Sequence, residues 1–336
     1  MRIAVVTTSY PADLEDGAGC FVRAEALCLR DRGEVHVICP APAAADEGVA
    51  VHPVGGQAAF GWPGAAAKLR QQPWLALEAV RFARAARRTL ARLDPDHVQA
   101  HWLVPGAFPV ALGCASVEAV AHGGDLRALV ALPCPARSAI VRAILAGRNT
   151  IRFVSRRGRD ELLAALPSDL AAALTDRSRV EPCALAPLGA RRDRAQVRAE
   201  LGLGERRVAC VVARLVASKR VDLALEAIAA AGLHAIVVGN GPERERLERT
   251  HEARFVGHLP RSRTLDVIAA SDLLVDASEA EGAPTVVREA RALGVAVISC
   301  GAGDVPVWAA CDAGIAIAAP HDLAEALRAL VPPSVR

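Results

Sequence analysis

Aromatic side chains are scarce in this chain: four Trp, one Tyr and six Phe in 336 residues, with a single Met. Its cores must therefore be filled by Ala, Val, Leu and Ile, the usual contents of buried parallel strands and their covering helices. Lysine is nearly missing too, because of 40 basic residues only Lys68 and Lys219 are lysines. No run of five like charges occurs and the formal net charge is only +3, which argues against a dedicated nucleic-acid surface. The nine cysteines include no Cys-x-x-Cys pair and no His-Cys cluster at zinc spacing, so no metal is expected. They read as reduced, mostly buried thiols of a cytosolic protein. No Gly-x-Ser-x-Gly elbow supports a hydrolase triad. The uncharged stretch from Trp102 to Val117 is shorter than about 18 residues and carries Pro105 and Pro109, so it reads as loop plus buried helix, not a membrane span. The start MRIAVVTTSY runs into a strand without the basic, apolar and small-residue zones of an export signal, so a cytoplasmic location is expected.

At this length two domains of roughly 150 residues are the default. In the first half RIAVVTT, EVHVICP, VAVHPV, DHVQAHW, EAVAHGG and IRFVS read as strands, with helices over Cys20 to Asp31, Leu75 to Leu93 and Ser138 to Ala146. The pattern relaxes around VEPCALAPLGARRDR, placing a linker near residues 183 to 193. A second series follows: RVACVVAR, HAIVVGN, ARFVGH, DLLVDAS, VAVISC and GIAIAA, alternating with helices that start near Ser218, Pro242, Ser262, Pro284 and His321. Pro242 and Pro284 suit first helical positions. The fold class is α/β: two doubly wound, Rossmann-like parallel-sheet domains, residues 1–187 and 188–336, facing a cleft, with ligands at the carboxyl ends of the strands.

Two segments carry candidate chemistry. In ARLVASK, Arg214 and Lys219 lie where a strand gives way to the helix VDLALEAIAA, so backbone N–H groups, the positive helix end and two cations converge on one anion, a diphosphate for example. A lysine retained there, in a chain that otherwise uses arginine, points to a compact ammonium. The bland alternative is a solvated loop charge. In DASEAEGAPTVVREARALGVAVIS, Glu281 precedes a glycine and a proline-started helix, and Glu289 lies just over one turn inside it. Both carboxylates are suited to accept hydrogen bonds from sugar hydroxyls. A surface salt-bridge cluster of Glu289 with Arg288 and Arg291 competes with that reading.

In order, the strand, Arg214, Lys219, the helix, VVGNGPERERL, FVGHLPRSRTLDVIAASDLLVDAS and EGAPTVVREA closely resemble the donor domain of retaining family 4 glycosyltransferases (glycosyl transferases group 1), over about residues 205 to 330. YPADLEDGAGCFVRAEALCLRDRGEVHVIC resembles that family's glycine loop, with Gly17 and Gly19 available to phosphate or sugar, and DPDHVQAHWLVPGAF and VAHGGDL place His101 and His122 at its histidine positions. The resemblance implies a GT-B fold, with an acceptor-binding first domain and a donor-binding second one. It implies a hexosyl group moved from a UDP- or GDP-sugar to a sugar, lipid-linked or small-molecule acceptor, with retention and no metal. It assigns Arg214 and Lys219 to the diphosphate, Glu289 to the ribose and Glu281 to the transferred sugar, with Gly282 and Thr285 also at the donor. Val256, Gly257 and His258 would border the base, and His122 the donor sugar and diphosphate. Cys183-Ala184 stands where the family has Asn-Gly, Ala283 replaces a common aromatic, and Val307 a common Glu. These departures motivate a second reading, a degenerate homologue that binds sugar nucleotide or a partner without turnover.

Other classes fit less well. A nicotinamide oxidoreductase would need the third glycine of Gly-x-Gly-x-x-Gly, where Val22 and Arg244 stand, and an acid where Cys39 and Pro40 end the second strand. Asp94-Pro95-Asp96 matches a metal-binding triplet, but Pro95 reads as a turn entering a strand. AAAKLRQQPWLALEAVRFARAARRTLARL mixes Trp74 and Phe82 with Arg81, Arg84, Arg87, Arg88 and Arg92, either a domain helix with a solvated face or a weak peripheral membrane contact at the inner face.

Overall fold

A computed structural model describes residues 1–43, 46–60, 68–69 and 71–330. It divides the chain into two compact units, Met1–Ala186 and Pro187–Arg336. Three residues of the arginine-rich segment before the Trp74 helix, 65 to 67, and also residue 70, lie outside the described residues.

The first unit holds seven parallel strands: β1 (Arg2–Val6), β2 (Glu34–Cys39), β3 (Val49–Pro53), β4 (His97–His101), β5 (Val117–Ala121), β6 (Thr150–Phe153) and β7 (Ser178–Val180), in spatial order β3-β2-β1-β4-β5-β6-β7. Successive side chains go to opposite faces. Ala4 and Val6 enter one core while Ile3 and Val5 enter the other, so a strand covered on both sides reads as an unbroken apolar run. The last strand, Ser178–Val180, was not among the strands read from the sequence. The second unit repeats the plan with β8 (Val208–Val212), β9 (His234–Val238), β10 (Arg254–Gly257), β11 (Leu273–Asp276), β12 (Ala296–Ser299) and β13 (Ile315–Ile317), in order β10-β9-β8-β11-β12-β13. In β8, Val208 and Cys210 face one core, Ala209 and Val211 the other. Strand order reverses between β1 and β4 in the first sheet and between β8 and β11 in the second, and the crevice at such a point is where doubly wound sheets bind ligands.

Arginine forks close many helix ends, whose last carbonyls lack partners within the helix. Arg2 donates to Leu93 O (2.6 Å), Arg137 to Val130 O and Leu132 O (2.8 Å each), and Arg177 to Leu145 O (2.6 Å) and Gly147 O (2.8 Å). In the second unit Arg194 reaches Ala269 O (2.7 Å) and Ser271 O (2.8 Å), Arg198 reaches Ala270 O (2.9 Å), and Arg328 reaches Ala230 O (2.7 Å). The arginine excess is thus a scaffold property, because one planar guanidinium can serve two or three carbonyls.

Proline placement differs from the sequence expectation. Pro284 is the N-cap of the helix Thr285–Ala292, and Pro242 precedes the N-cap Glu243 of the helix Arg244–Thr250. Only Cys39, Cys183 and Cys210 are buried, while Cys28, Cys134 and Cys311 are exposed, so the thiols are less buried than composition suggests. Among the described residues no helix is long and apolar enough to cross a membrane. Trp102 to Val117 contains an irregular helical segment, Leu103–Val110, before β5 begins at Val117.

Candidate functional site

In the second unit the loop after β8 carries Arg214 and Lys219, and its backbone is held from both sides. On one side Ala213 N donates to Val238 O (3.1 Å), Leu215 N to Asn240 O (2.9 Å) and Glu243 N to Leu215 O (3.1 Å). The glycines of Gly239-Asn240-Gly241 are required by this closeness: a Cβ on Gly239 would sit 1.8 Å from Ala213 O, and one on Gly241 2.2 Å from Leu215 O. The triplet that suggests a dinucleotide fingerprint is a backbone clasp. On the other side Arg220, at φ 45° and ψ 46°, caps the helix Val221–Ala230 and donates to Ala277 O (2.7 Å) and Ser278 O (3.3 Å), while Glu279 N donates to Ser218 O (2.9 Å).

That stitching brings the ends of β8 and β11 together, and the Lys219 ammonium forms an ion pair with Glu281. Lys219 is therefore no solvated loop charge. Arg214 lies on the same loop with its side chain exposed. The Glu281 loop is itself anchored. Asp276, buried at the end of β11, accepts from Ser278 N (3.2 Å), Ser278 Oγ (2.5 Å) and Ser299 Oγ (3.2 Å). Gly303, at φ +63°, has its absent Cβ position 2.0 Å from Gly282 O, and Asp304 N donates to that same carbonyl (3.0 Å). Gly282 is buried beneath this contact and Thr285 is half-buried at the first helical position.

Glu289 lies in the second turn of the helix Thr285–Ala292, 8% exposed, and accepts from Arg261 Nη2 at 2.8 Å. Burial raises its carboxyl above the usual range, with Arg261 opposing. No surface cluster forms, since Arg291 pairs with Asp312 through Nε (2.8 Å) and Nη2 (2.9 Å). At the end of β10, Val256 is half-buried, Gly257 is buried at φ +76°, and His258 is exposed; Gly257 O accepts from Gly239 N (2.8 Å), which ties this strand end to the clasp.

In the first unit the glycine loop after β1 leads into the helix Cys20–Leu29, with Gly19 as N-cap at φ 74°. A Cβ there would lie 2.5 Å from Ser9 O, so the close approach that demands Gly19 is to the chain itself, whereas Gly17 is exposed with open space around its Cβ position. His122, after β5, is the N-cap of the helix Gly123–Val130 in a capping box with Asp125. The Asp125 carboxylate accepts from His122 N (2.9 Å) and Leu103 N (2.7 Å), and burial pushes it up to about 7 despite those N–H donors.

Beneath His122 runs a buried polar seam of Glu25, Gln99, His101, Glu118 and Arg152, of which the sequence reading named only His101. Arg152 Nη2 donates to Glu25 Oε2 (2.5 Å), and Gln99 Nε2 donates to Glu25 (3.3 Å) and Glu118 (3.1 Å). With its NH₂ engaged by two carboxylates, Gln99 offers only Oε1 to His101 Nε2, 3.2 Å away, so that nitrogen carries the proton. His101 Nδ1 is then an acceptor, for His122 Nε2–H at 3.2 Å. Burial first, then Arg152, lowers His101 to about 3; burial, His101 and Arg152 also hold His122 well below its ordinary value, with Glu25 opposing. Both rings are neutral at pH 7. The available signal was a polar residue at the core-facing, alternate position of three consecutive apolar strands, Gln99, Glu118 and Arg152, with Gln99 directly opposite Glu118 in the register.

Asp94-Pro95-Asp96 lies at the opposite, amino end of the sheet. Asp94 caps the helix Ala76–Leu93 in the left-handed region, and Asp96 accepts from Arg2 N at 2.6 Å, so both acids have structural work.

Residues 193–331 match the family model described as glycosyl transferases group 1. The second unit carries that family's pattern. Over 339 aligned residues it is 29% identical to the Bacillus subtilis (strain 168) protein TuaC, whose name places it as a glycosyltransferase in teichuronic acid biosynthesis; the match covers 91% of this chain and 82% of TuaC. Its fold is similar to that of sucrose-phosphate synthase from Thermosynechococcus elongatus (TM-score 0.73, 18% identity, 98% of this chain and 88% of that one). It is also similar to Anabaena HepE in complex with UDP and glucose (TM-score 0.66, 18% identity, 99% and 90%). The fold is GT-B, and the Lys219–Glu281 pair lies within the matched stretch.

Proposed function

We propose that this chain transfers a hexosyl group from a UDP- or GDP-sugar to a sugar, lipid-linked or small-molecule acceptor, with retention of configuration and without a metal. The observation that carries the reading is the Lys219–Glu281 ion pair at the juxtaposed carboxyl ends of β8 and β11, the switch point of the second sheet. An ammonium there, with Arg214 on the same loop and the amino end of the helix Val221–Ala230 beside it, meets the negative charge that grows as a nucleoside diphosphate departs. Each such contact is worth about 2.7 to 4 kcal/mol of barrier. Glu281 accepts from hydroxyls of the transferred sugar and Glu289 from the ribose. Acceptor attack from the face of the leaving group needs no carboxylate nucleophile. The family likeness adds His122, Gly17 and Gly19 toward the donor, and Val256, Gly257 and His258 toward the base. HepE is a neighbour with UDP and glucose bound, and TuaC is named for a glycan-building process; both support a sugar-nucleotide donor and a glycan-type acceptor.

A peripheral membrane contact is part of the proposal. Trp74 and Leu77 are 65% exposed and Val80 is 44% exposed; Leu77 and Val80 share the open face of the helix Ala76–Leu93 with exposed Arg81, Arg84 and Arg88.

Calorimetric titration with UDP- and GDP-sugars, followed by assays of donor hydrolysis and of transfer to an acceptor panel, tests the reading. Binding of one donor with release of its nucleoside diphosphate is expected. Tight binding with no turnover favours the degenerate, sugar-nucleotide-binding homologue, and absence of binding to any donor overturns both.

A further inference from the structure

The ends of β4 and β5 and the chain just after β7 bring together three metal-ligating side chains that are far apart in sequence. One ligand atom from each of His101, His122 and Cys183 lies within 4.8 Å of the others. This is the single such cluster of three or more His, Cys, Asp or Glu among the described residues. We propose that His101 Nδ1, His122 Nε2 and Cys183 Sγ form a binding site for a thiophilic divalent cation, zinc by ligand chemistry, inside the first unit.

The histidine pair is already at ligand spacing. Zinc bonds of about 2.0 Å to nitrogen and 2.3 Å to sulfur, held tetrahedrally, put donor atoms about 3.3 to 3.7 Å apart. His101 Nδ1 and His122 Nε2 are 3.2 Å apart, and the thiol closes on them by a movement of about 1 Å. Imidazole and thiolate together select zinc over the oxygen-seeking cations, and three protein ligands leave a fourth position for water.

The surroundings supply what a ligand set needs from its second layer. A metal-bound histidine is oriented by donating its other ring N–H to a fixed acceptor. His101 Nε2–H donates to Gln99 Oε1, and Gln99 is held in turn by Glu25 and Glu118, so the Nδ1 lone pair points at the site in the resting structure. Cys183 is positioned by its neighbour, whose Ala184 N donates to Glu25 Oε1 at 2.5 Å. The charges facing the cluster are Arg152, balanced by Glu25 and Glu118, with Arg179 on Glu118 and Asp125 at the His122 backbone. Arg152 and Cys183 interact electrostatically. On binding, the thiol proton leaves to solvent and the Nε2 proton of His122 moves to Nδ1, so that both coordinating nitrogens present lone pairs. The substitution of Cys183-Ala184 for the family's Asn-Gly supplies the sulfur, so the site is a property of this chain and not of the family pattern.

The test uses the whole protein with Cys28, Cys134 and Cys311, the exposed thiols, changed to serine, and zinc alone as probe in competition with a chromophoric chelator. One equivalent bound, and a thiolate-to-cobalt charge-transfer band when cobalt(II) replaces zinc, are expected. Cys183→Ser in that background abolishes the band and weakens zinc by a hundredfold or more, while Gln99→Leu weakens it about 10- to 100-fold through the lost orientation of His101. Circular dichroism verifies folding of each variant, and the cobalt band of the parent does not depend on any variant folding. Absence of a stoichiometric zinc equivalent in the parent, or an undiminished cobalt–thiolate band in Cys183→Ser, overturns the proposal. The readout is metal binding, so failure of the transferase reading leaves it separately decided.

Discussion

Replacing Lys219 by Ala separates catalysis from stability. In the resting molecule the ammonium pairs with Glu281, and the two side chains are 18% and 22% exposed. A partly exposed pair of this kind contributes on the order of 1 kcal/mol, so Lys219→Ala is expected to lower Tm by only about 2 to 4 °C in a chain of this size. The same ammonium, aimed at a leaving diphosphate, is worth about 2.7 to 4 kcal/mol of barrier, and at 1.36 kcal/mol per decade that is a loss of about two to three decades in kcat. Single-turnover release of UDP or GDP measures the rate, with calorimetric melting on the same samples. Lys219→Arg recovers little, because the guanidinium is wider and its fork differs from a point charge. Glu281→Ala frees the ammonium but removes the proposed sugar acceptor, and the double variant is expected to be less impaired than the sum of the singles, since the two groups act as one unit. Turnover within threefold of the parent in a folded Lys219→Ala protein would refute the assignment.

Glu289→Gln is expected to raise donor KM several-fold with a smaller change in kcat. The carboxyl is raised by burial, so in the parent the loss of donor affinity on acidification begins above the ordinary carboxylate value of about 4.3, and the glutamine variant shows a flat profile. Protonation of this group adds stability below about pH 4.3 that is lost as pH rises through its raised value, so a melting curve distinguishes the affinity loss from unfolding. Gly239→Ala forces a methyl into Ala213 O and shifts the loop of Arg214 and Lys219; thermal melting and donor titration are expected to fall together, and an unchanged Kd would contradict the clasp. Removal of divalent cations with EDTA is expected to leave transfer intact, whereas strict dependence on added manganese would reject the metal-free mechanism. Vesicles rich in anionic lipid are expected to sediment the protein in a salt-sensitive way that Trp74→Ser with Leu77→Ser abolishes, and failure of the parent to sediment removes the membrane contact.

The strands were legible because buried parallel strands spell themselves as apolar runs between turn residues, as in RIAVV and LLVD. The loop with Arg214 and Lys219 was legible through position, at the end of a strand and before a helix. Its partner was not, since nothing in spacing says that a residue 62 positions later closes on Lys219; that depends on β8 and β11 being neighbours across a crossover. Glu289 was singled out, but its hydrogen-bonded partner Arg261 belongs to a different helix, and the nearby Arg291, which pairs with Asp312, offered a false local one. The polar seam escaped because each of Gln99, Glu118 and Arg152 alone looks like one tolerated polar residue in a strand. Only the register sets Gln99 opposite Glu118, with Arg152 two positions along the next strand, and only the packed helix Cys20–Leu29 adds Glu25. Burial of the thiols was overestimated because a cysteine on a helix, such as Cys28 or Cys134, follows the face it happens to occupy.

Because guanidinium groups hold most of the helix ends, and only Lys68, on Ala58 O and Phe60 O, does so with an amine, reagents or enzymes that acylate primary amines have little grip on the architecture. They find the amino terminus and positions 68 and 219, and the second of those side chains is the one that faces Glu281. A single acyl group there would remove the charge that faces Glu281 while leaving every arginine clamp in place.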